Sequence, residues 1–221
     1  MKGIALNRNP LRVLYLSLAV IVLDQVTKLL VKGFSLPILN LHHAGMELGS
    51  TVPVLGDALR LTYIENPGMA FGLELGSQLV LAICSLAASI GVFYYLVKLR
   101  DQRLVVRASF AVILGGAIGN LIDRALYGVF YGEAPLFYGK VVDFIDVNVL
   151  HLSHFGIFNV ADAAVSTGVI LLLIFHRSLD VVRESLTQSA ELQGVSMPEN
   201  GNAQQHVELT GPRGKLHNIA K

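Results

Sequence analysis

Charge is scarce in this chain of 221 residues: 15% of it is Asp, Glu, Lys or Arg, against 53% hydrophobic. A soluble domain averages about a quarter charged, so the bilayer is the solvent to assume. Net charge is scarce as well. At +1 the chain lacks the basic surface that nucleic acid demands, which argues against that class of partner. Cysteine is nearly missing. Cys84 stands alone, which excludes an internal disulfide framework and any cysteine-based zinc site. It falls in an uncharged apolar stretch and is expected to be a small buried hydrophobe. No internal repeat and no H-E-x-x-H metalloprotease motif occur.

What is present is a set of apolar runs. Segments at roughly 12–31, 78–97, 104–123 and 158–176 are long enough to span a bilayer, although only the second is free of interruption. Asp24 and Lys28 break the first, Asn120 and Asp123 the third, and Asp162 the fourth. The first run carries an aspartate and lacks a convincing A-x-A end, so it reads as a retained helix and not a cleaved leader. Lys2, Arg8 and Arg12 precede the first run. Lys98, Arg100, Arg103 and Arg107 fill the connection after the second, and Arg177 and Arg183 follow the fourth. By the positive-inside rule those regions are cytoplasmic. The expected fold is therefore a membrane α protein of four helices, both termini inside, with outer loops at roughly 32–77 and 124–157.

Thr51–Asp57 and Ala58–Ile64 read as two short strands about a turn, which predicts a small extracytoplasmic sheet on the membrane surface. The second outer loop carries Tyr127, Tyr131 and Tyr138, each followed by glycine, and tyrosine suits the bilayer interface. The four-helix membrane body is expected at 1–184. Residues 185–221 are polar, without apolar period, and are expected to be a disordered cytoplasmic tail.

Gly115 and Gly119 form a G-x-x-x-G, a common helix-packing device. Asn120, Asp123 and Arg124 then fall three or four residues apart, on one helical face. Asp24 and Lys28 at i, i+4 read first as an intrahelical ion pair with Lys28 snorkelling outward. Asp123 reads first as a charge pair with Arg124. Asn159 and Asp162 resemble a capping box whose acid suits the helix dipole, and for Asp162 that structural account and a chemical one both stay open.

Ionised carboxylates are costly in hydrocarbon, and those found there are paired or functional. Asp143, in Val141-Val142-Asp143-Phe144, and Asp162, at the mouth of the last apolar run, suggest a carboxyl pair. Two such groups close together cannot easily both ionise, so one keeps a proton and the other is a base. That pair can activate water against a peptide carbonyl with no metal or cofactor. Asp162, at a helix N-terminus, is expected to be the more readily ionised member. Rival chemistries are weaker. His42, His43, His151 and His154 lack a metal-binding pattern, and Lys28 or Lys140 with Ser35 or Ser153 makes no recognisable serine–lysine motif. A proton-coupled transporter or an assembly factor with buried acids is the alternative class. It fits less well, because transporters usually carry repeats and acids near the midplane.

Taken together, Asp24-Gln25-Val26-Thr27-Lys28, Asn66-Pro67-Gly68-Met69-Ala70-Phe71, Gly115 through Arg124, Val141-Val142-Asp143-Phe144 and Phe158 through Ala163 resemble, in order, the motifs of lipoprotein signal peptidases. The resemblance covers roughly residues 10–178 and implies a bacterial inner-membrane aspartyl endopeptidase. Such an enzyme cuts prolipoproteins just before a cysteine that already carries diacylglycerol. It implies Asp143 and Asp162 as the catalytic dyad. Asp24, Asn66, Gly116, Asn120, Arg124 and Asn159 would line or brace the site, and Lys28 and Asp123 would support it. An extracytoplasmic loop would close over the site while the substrate's lipid stays in the membrane. Globomycin-type inhibitors would occupy the same cleft, and a monomer is expected. The chain departs from the family pattern in an aromatic stretch from Gly128 to Lys140, and in Met69, where a small residue is common.

Overall fold

The computed structural model describes residues 10–70, 73–74, 77–99, 102–148 and 156–175. The tail expected at 185–221, with His151, Ser153 and His154, lies outside the described residues.

Helix α1 (Leu14–Lys32) follows a 3-10 turn at Pro10–Val13, α2 spans Gln78–Lys98 and α3 spans Leu104–Ile122. Each is an apolar run bounded by chemistry the sequence supplies. Ser77 caps α2 by accepting a hydrogen bond from Val80 N at 3.4 Å, and helix termini need such partners for their free N–H groups. Gly33, at φ +84°, ends α1 while donating its N–H to Leu29 O at 2.9 Å. α3 does not stop at its expected end near 123. It continues through a π-turn, Asp123–Tyr127, and one further turn, Gly128–Phe130. π-turns are rare and concentrate at functional sites. The last helix, Val160–Phe175, starts later than the apolar run, because Phe158 bridges Ile145 and Asn159 serves as its cap.

Leu11–Lys32, Gln78–Lys98 and Leu104–Phe130 are long and apolar enough to cross a membrane, and Val160–Phe175 is apolar but shorter. Leu18, Leu23 and Leu30 on α1, with Ile83, Ile90 and Phe93 on α2, are exposed, as expected of a surface that lipid covers. Cys84 shares that exposed face, which corrects its expected burial. Composition cannot tell a lipid-facing position from a core one, since both are apolar.

α3 packs against both α1 and α2. A stripe of small residues sets its close approach to α1 and to the Val160–Phe175 helix. A Cβ on Gly115 would lie 2.7 Å from Val20 Cβ, and one on Gly116 would lie 2.3 Å from Ala161 O. One on Gly119 would lie 2.6 Å from Asp24 Oδ2. Gly116→Ala should therefore cost about 1–3 kcal/mol of stability, the usual range for overpacking. Thermal unfolding of the detergent-solubilised protein measures this, and an unchanged midpoint would mean the helices separate freely there.

Outside the bundle, β3 (Thr51–Leu55), β4 (Leu59–Asn66) and β7 (Val141–Val147) form an antiparallel sheet in the order β3-β4-β7. The hairpin β3–β4 matches the strands expected from the sequence. Two small ribbons accompany it, one before β3 in the chain and one between β4 and β7. One pairs β1 (Phe34–Leu36) with β2 (Leu41–His43), the other β5 (Met69–Ala70) with β6 (Leu73–Glu74). Asp143 pairs in register with Ile64, and Val141 with Asn66. A cluster of Val31, Tyr63, Tyr127, Val142 and Phe144 fills the space where this sheet meets the bundle. The catalytic-candidate strand is thus anchored from beneath by its apolar neighbours.

Candidate active site

The site is organised around Lys28. Its ammonium stands 2.8 Å from Asp24 Oδ2 and 2.8 Å from Asp123 Oδ2, and donates to Asn120 Oδ1 at 2.9 Å. Lys28, Asp24 and Asp123 are fully buried. Two expectations are corrected here. Lys28 does not snorkel, and Asp123 pairs with Lys28 and not with its chain neighbour Arg124. Close packing along the glycine stripe brings α1 within reach of the π-turn, and a buried ammonium then has three acceptors for its three donors. Removing charges from water is costly unless geometry and further hydrogen bonds compensate, and those bonds exist. Ala161 N donates to Asp24 Oδ1 at 2.9 Å, and Val142 N to Asp123 Oδ2 at 3.2 Å. Gln25 Nε2 donates to Asp24, to Asp123 and to Gly119 O, while Tyr127 OH donates to Gln25 Oε1 at 3.0 Å.

The effect is to tie four elements to one point: α1, the π-turn, the head of the last helix and β7. Gln25 and Tyr127 are functional neighbours that sequence reasoning missed. Gln25 sits inside the first motif, which was the available signal. Tyr127 read as an interfacial tyrosine, yet it is buried.

Above this knot sit the two acids. Asn120 donates from Nδ2 to Asp162 Oδ1 at 2.7 Å, so Lys28, by occupying Asn120 Oδ1, fixes which way that amide points. Asn159 joins the pair. Its Nδ2 donates to Asp143 Oδ1 at 2.7 Å and to Asn120 Oδ1 at 3.0 Å, while its backbone N donates to Asp162 Oδ2 at 3.3 Å. Asp162 N returns a bond to Asn159 Oδ1 at 3.0 Å, which completes the capping box expected from the sequence. Asp162 belongs both to the cap and to the carboxyl pair, so the two readings of it are compatible. Asn66 Nδ2 donates to Asp143 Oδ2 at 3.2 Å.

Asp143 is almost fully buried, and burial pushes its carboxyl up to about 7, with the charge of Asp162 adding to the shift. The hydrogen bonds from Asn66 and Asn159 pull the other way and are outweighed. Desolvation and a like charge are the arrangement that keeps one acid of a pair protonated near neutrality. Arg124 lies in the electrostatic range of Asp143 and Asp162, and its Nε and Nη1 are buried with no hydrogen-bond partner. The structure brings together Asp24, Lys28, Asn66, Asn120, Asp123, Arg124, Asp143, Asn159 and Asp162, whereas Gly116 lies at the packing contact with Ala161 and Val165.

The family model for Signal peptidase (SPase) II matches residues 16–177. That span holds the whole constellation. The chain belongs to the lipoprotein signal peptidase family. It is 36% identical over 169 residues to the lipoprotein signal peptidase of Pelodictyon phaeoclathratiforme, covering 73% of this chain and 88% of that protein. It is 38% identical over 158 residues to that of Halalkalibacterium halodurans, covering 72% and 86%. A bacterial membrane enzyme structure obtained by the in meso method at 2.3 Å is similar with a TM-score of 0.57 at 28% identity, over 75% of this chain and 87% of that one. A second such structure, at 1.9 Å, has a TM-score of 0.54 at 29% identity, over 73% and 90%. Its activity is accordingly that of the family, an intramembrane aspartyl protease of lipoprotein processing.

Proposed function

We propose that Asp143 and Asp162 are the dyad of this peptidase and that its substrates are diacylglyceryl-modified prolipoproteins. The observation that carries the reading is the double grip of Asn159, which holds one oxygen of each carboxyl through Nδ2 and backbone N. Asp162 takes a proton from water as the water oxygen bonds to the scissile carbonyl carbon. Asp143 gives its proton to the carbonyl oxygen, and a tetrahedral diol forms. The diol collapses, the C–N bond breaks, and the amine of the lipidated cysteine leaves with a proton from the dyad. Arg124 offers its free donors to substrate carbonyls, and Asn66 keeps Asp143 aimed. No cofactor or metal has a part in the sequence of steps.

Purified enzyme should cleave a diacylglyceryl precursor and leave its unlipidated form intact, and globomycin should block the cleavage. Equal cleavage of both forms would contradict the substrate assignment. Lipid specificity follows from the setting, because a substrate that keeps its acyl chains in the bilayer reaches a membrane-level site without desolvating them.

The proposed topology has four crossings, both termini in the cytoplasm and the site near the outer face, motivated by the basic clusters that flank the helices. A monomer of residues 1–184 carries the chemistry in this reading, with 185–221 as a dispensable tail. In a Cys84→Ser background, cysteines at Ser50, Asp101 and Gln204 should label from outside, inside and inside respectively. Labelling of position 101 from the periplasm would reverse the orientation.

A further inference from the structure

The stretch from Gly128 to Lys140, a departure from the family pattern, folds back on the π-turn. Glu133 N and Ala134 N both donate to Gly128 O, Phe137 N donates to Ala125 O at 3.1 Å, and Gly139 N donates to Arg124 O at 2.9 Å. One of its charged side chains, Lys140, meets a carboxylate on β4, Glu65, and another, Glu133, meets Lys32 of α1. Glu65 accepts from Lys32 of α1, from Lys140 Nζ at 3.1 Å and from Tyr63 OH at 2.8 Å. Lys32 also donates to Glu133 Oε1, at 2.9 Å, and sits over the Tyr131 ring at 4.3 Å.

Exposed ion pairs contribute little, but this one is not exposed at its centre. The side chains of Glu65 and Lys32 are 10% and 7% accessible, although Lys140 and Glu133 reach the surface. Burial alone would raise the Glu65 carboxyl, and the hydrogen bonds from Lys32, Tyr63 and Lys140 outweigh it, holding it below the usual range.

Glu65 is followed directly by Asn66, and successive strand residues point to opposite faces. One face of β4 is thereby fixed to α1 and to Lys140, which immediately precedes β7. The other face aims an amide at Asp143. That amide has one orientation, since Asn66 Oδ1 accepts from Gly68 N at 2.8 Å and leaves Nδ2 for the acid. Strand register agrees, with Glu65 opposite Val142 and Asn66 opposite Val141.

We infer that Glu65 is a positioning residue for the Asn66–Asp143 contact, and that the 128–140 stretch braces the active site by supplying Lys140 and Glu133 to hold Glu65 and Lys32. The inference rests on the reading of Asp143 as catalytic. A failure of that reading would be visible separately, as an Asp143→Asn enzyme that still cleaves.

The test is a double-mutant cycle on the full-length enzyme with one lipidated precursor, all rates per folded molecule. Glu65→Gln should lower kcat about tenfold with KM within about twofold, whereas in an Asn66→Ala background the same change should alter the rate by less than about twofold, as expected of groups acting through one contact. Lys140→Gln should lose about threefold in kcat and Lys140→Arg should restore it, because both long cations reach the same carboxylate. If Asn66→Ala is too slow to measure, the kcat–KM split and the Lys140 pair decide. Equal losses from Glu65→Gln in both backgrounds, a KM change with kcat intact, or a fall in folded yield at unchanged rate would each overturn the assignment.

Discussion

Lys28→Met should cost about 3–5 kcal/mol of stability, the usual penalty for removing one partner of a buried ion pair. The substitution keeps the volume of the side chain but leaves two fully buried carboxylates, Asp24 and Asp123, facing the space their common ammonium occupied. It also frees Asn120 Oδ1 of one donor, so the amide that serves Asp162 loses its fixed orientation. Folded yield and thermal midpoint should fall together with activity. Adding Asp123→Asn to Lys28→Met should recover part of the loss, because one uncompensated charge disappears and coupled sites are not additive. Strict additivity, or a Lys28→Met enzyme as stable as the parent, would mean that the ammonium is not the centre of the knot.

That knot marks where the sequence was readable and where it was not. The i, i+4 spacing of Asp24 and Lys28 is a local pattern, and the helix respects it. The choice of Asp123's partner is not local. Arg124 is next in the chain, but Lys28 reaches Asp123 only because Gly116 and Gly119 let Ala161 and Asp24 close on α3. The Gly115 and Gly119 spacing on the third helix announces a close approach, but not which helix or which side chain makes it. The extension of that helix into a π-turn was equally invisible, since the residues 123–130 have ordinary helical compatibility and the turn is held by contacts with α1 and the return stretch.

The strands of the outer hairpin were legible from their turn and their apolar alternation. The third strand's place beside β4 was not, because strand pairing is set by long-range packing and not by the Val-Val-Asp-Phe motif itself. Asn159 and Asp162 show the opposite case. Their spacing announced a helix cap, the cap forms, and Asn159 also donates to Asp143 while Asp162 is the other acid of the carboxyl pair. Cys84 was misread because an apolar helix has two apolar surroundings, protein and lipid, and composition does not separate them; Tyr127 was misread because the segment taken for an outer loop begins as the extension of α3, packed on Gln25.

Asp143→Asn or Asp162→Asn should lower single-turnover cleavage by about 10³-fold or more, equivalent to about 4 kcal/mol in the barrier. Asparagine keeps the shape of the side chain but can neither give nor take the proton that the chemistry requires, so folded yield should hold while turnover is lost. The pH dependence has a definite sign. In the proposed mechanism Asp143 carries the proton given to the carbonyl oxygen, and burial, with the charge of Asp162, pushes its carboxyl up to about 7. The rate should therefore fall as pH rises through about 7, approaching tenfold per unit, with the apparent value belonging to the pair and not to one residue. A rate that climbed with pH through that range would require Asp143 to act ionised.

The most direct measurement compares Asp143→Asn, Asp162→Asn and Asp123→Asn on one lipidated substrate in a single turnover, each rate normalised to folded protein. All three aspartates lie at the same end of the bundle, so only their contacts distinguish them. Asp123→Asn weakens the hold of Lys28 and should lower yield or thermal stability more than it lowers the rate per folded molecule. The account predicts two folded and nearly inactive enzymes from Asp143 and Asp162, and a less stable but active one from Asp123. A stable, inactive Asp123→Asn beside an Asp143→Asn enzyme at near wild-type rate would contradict it.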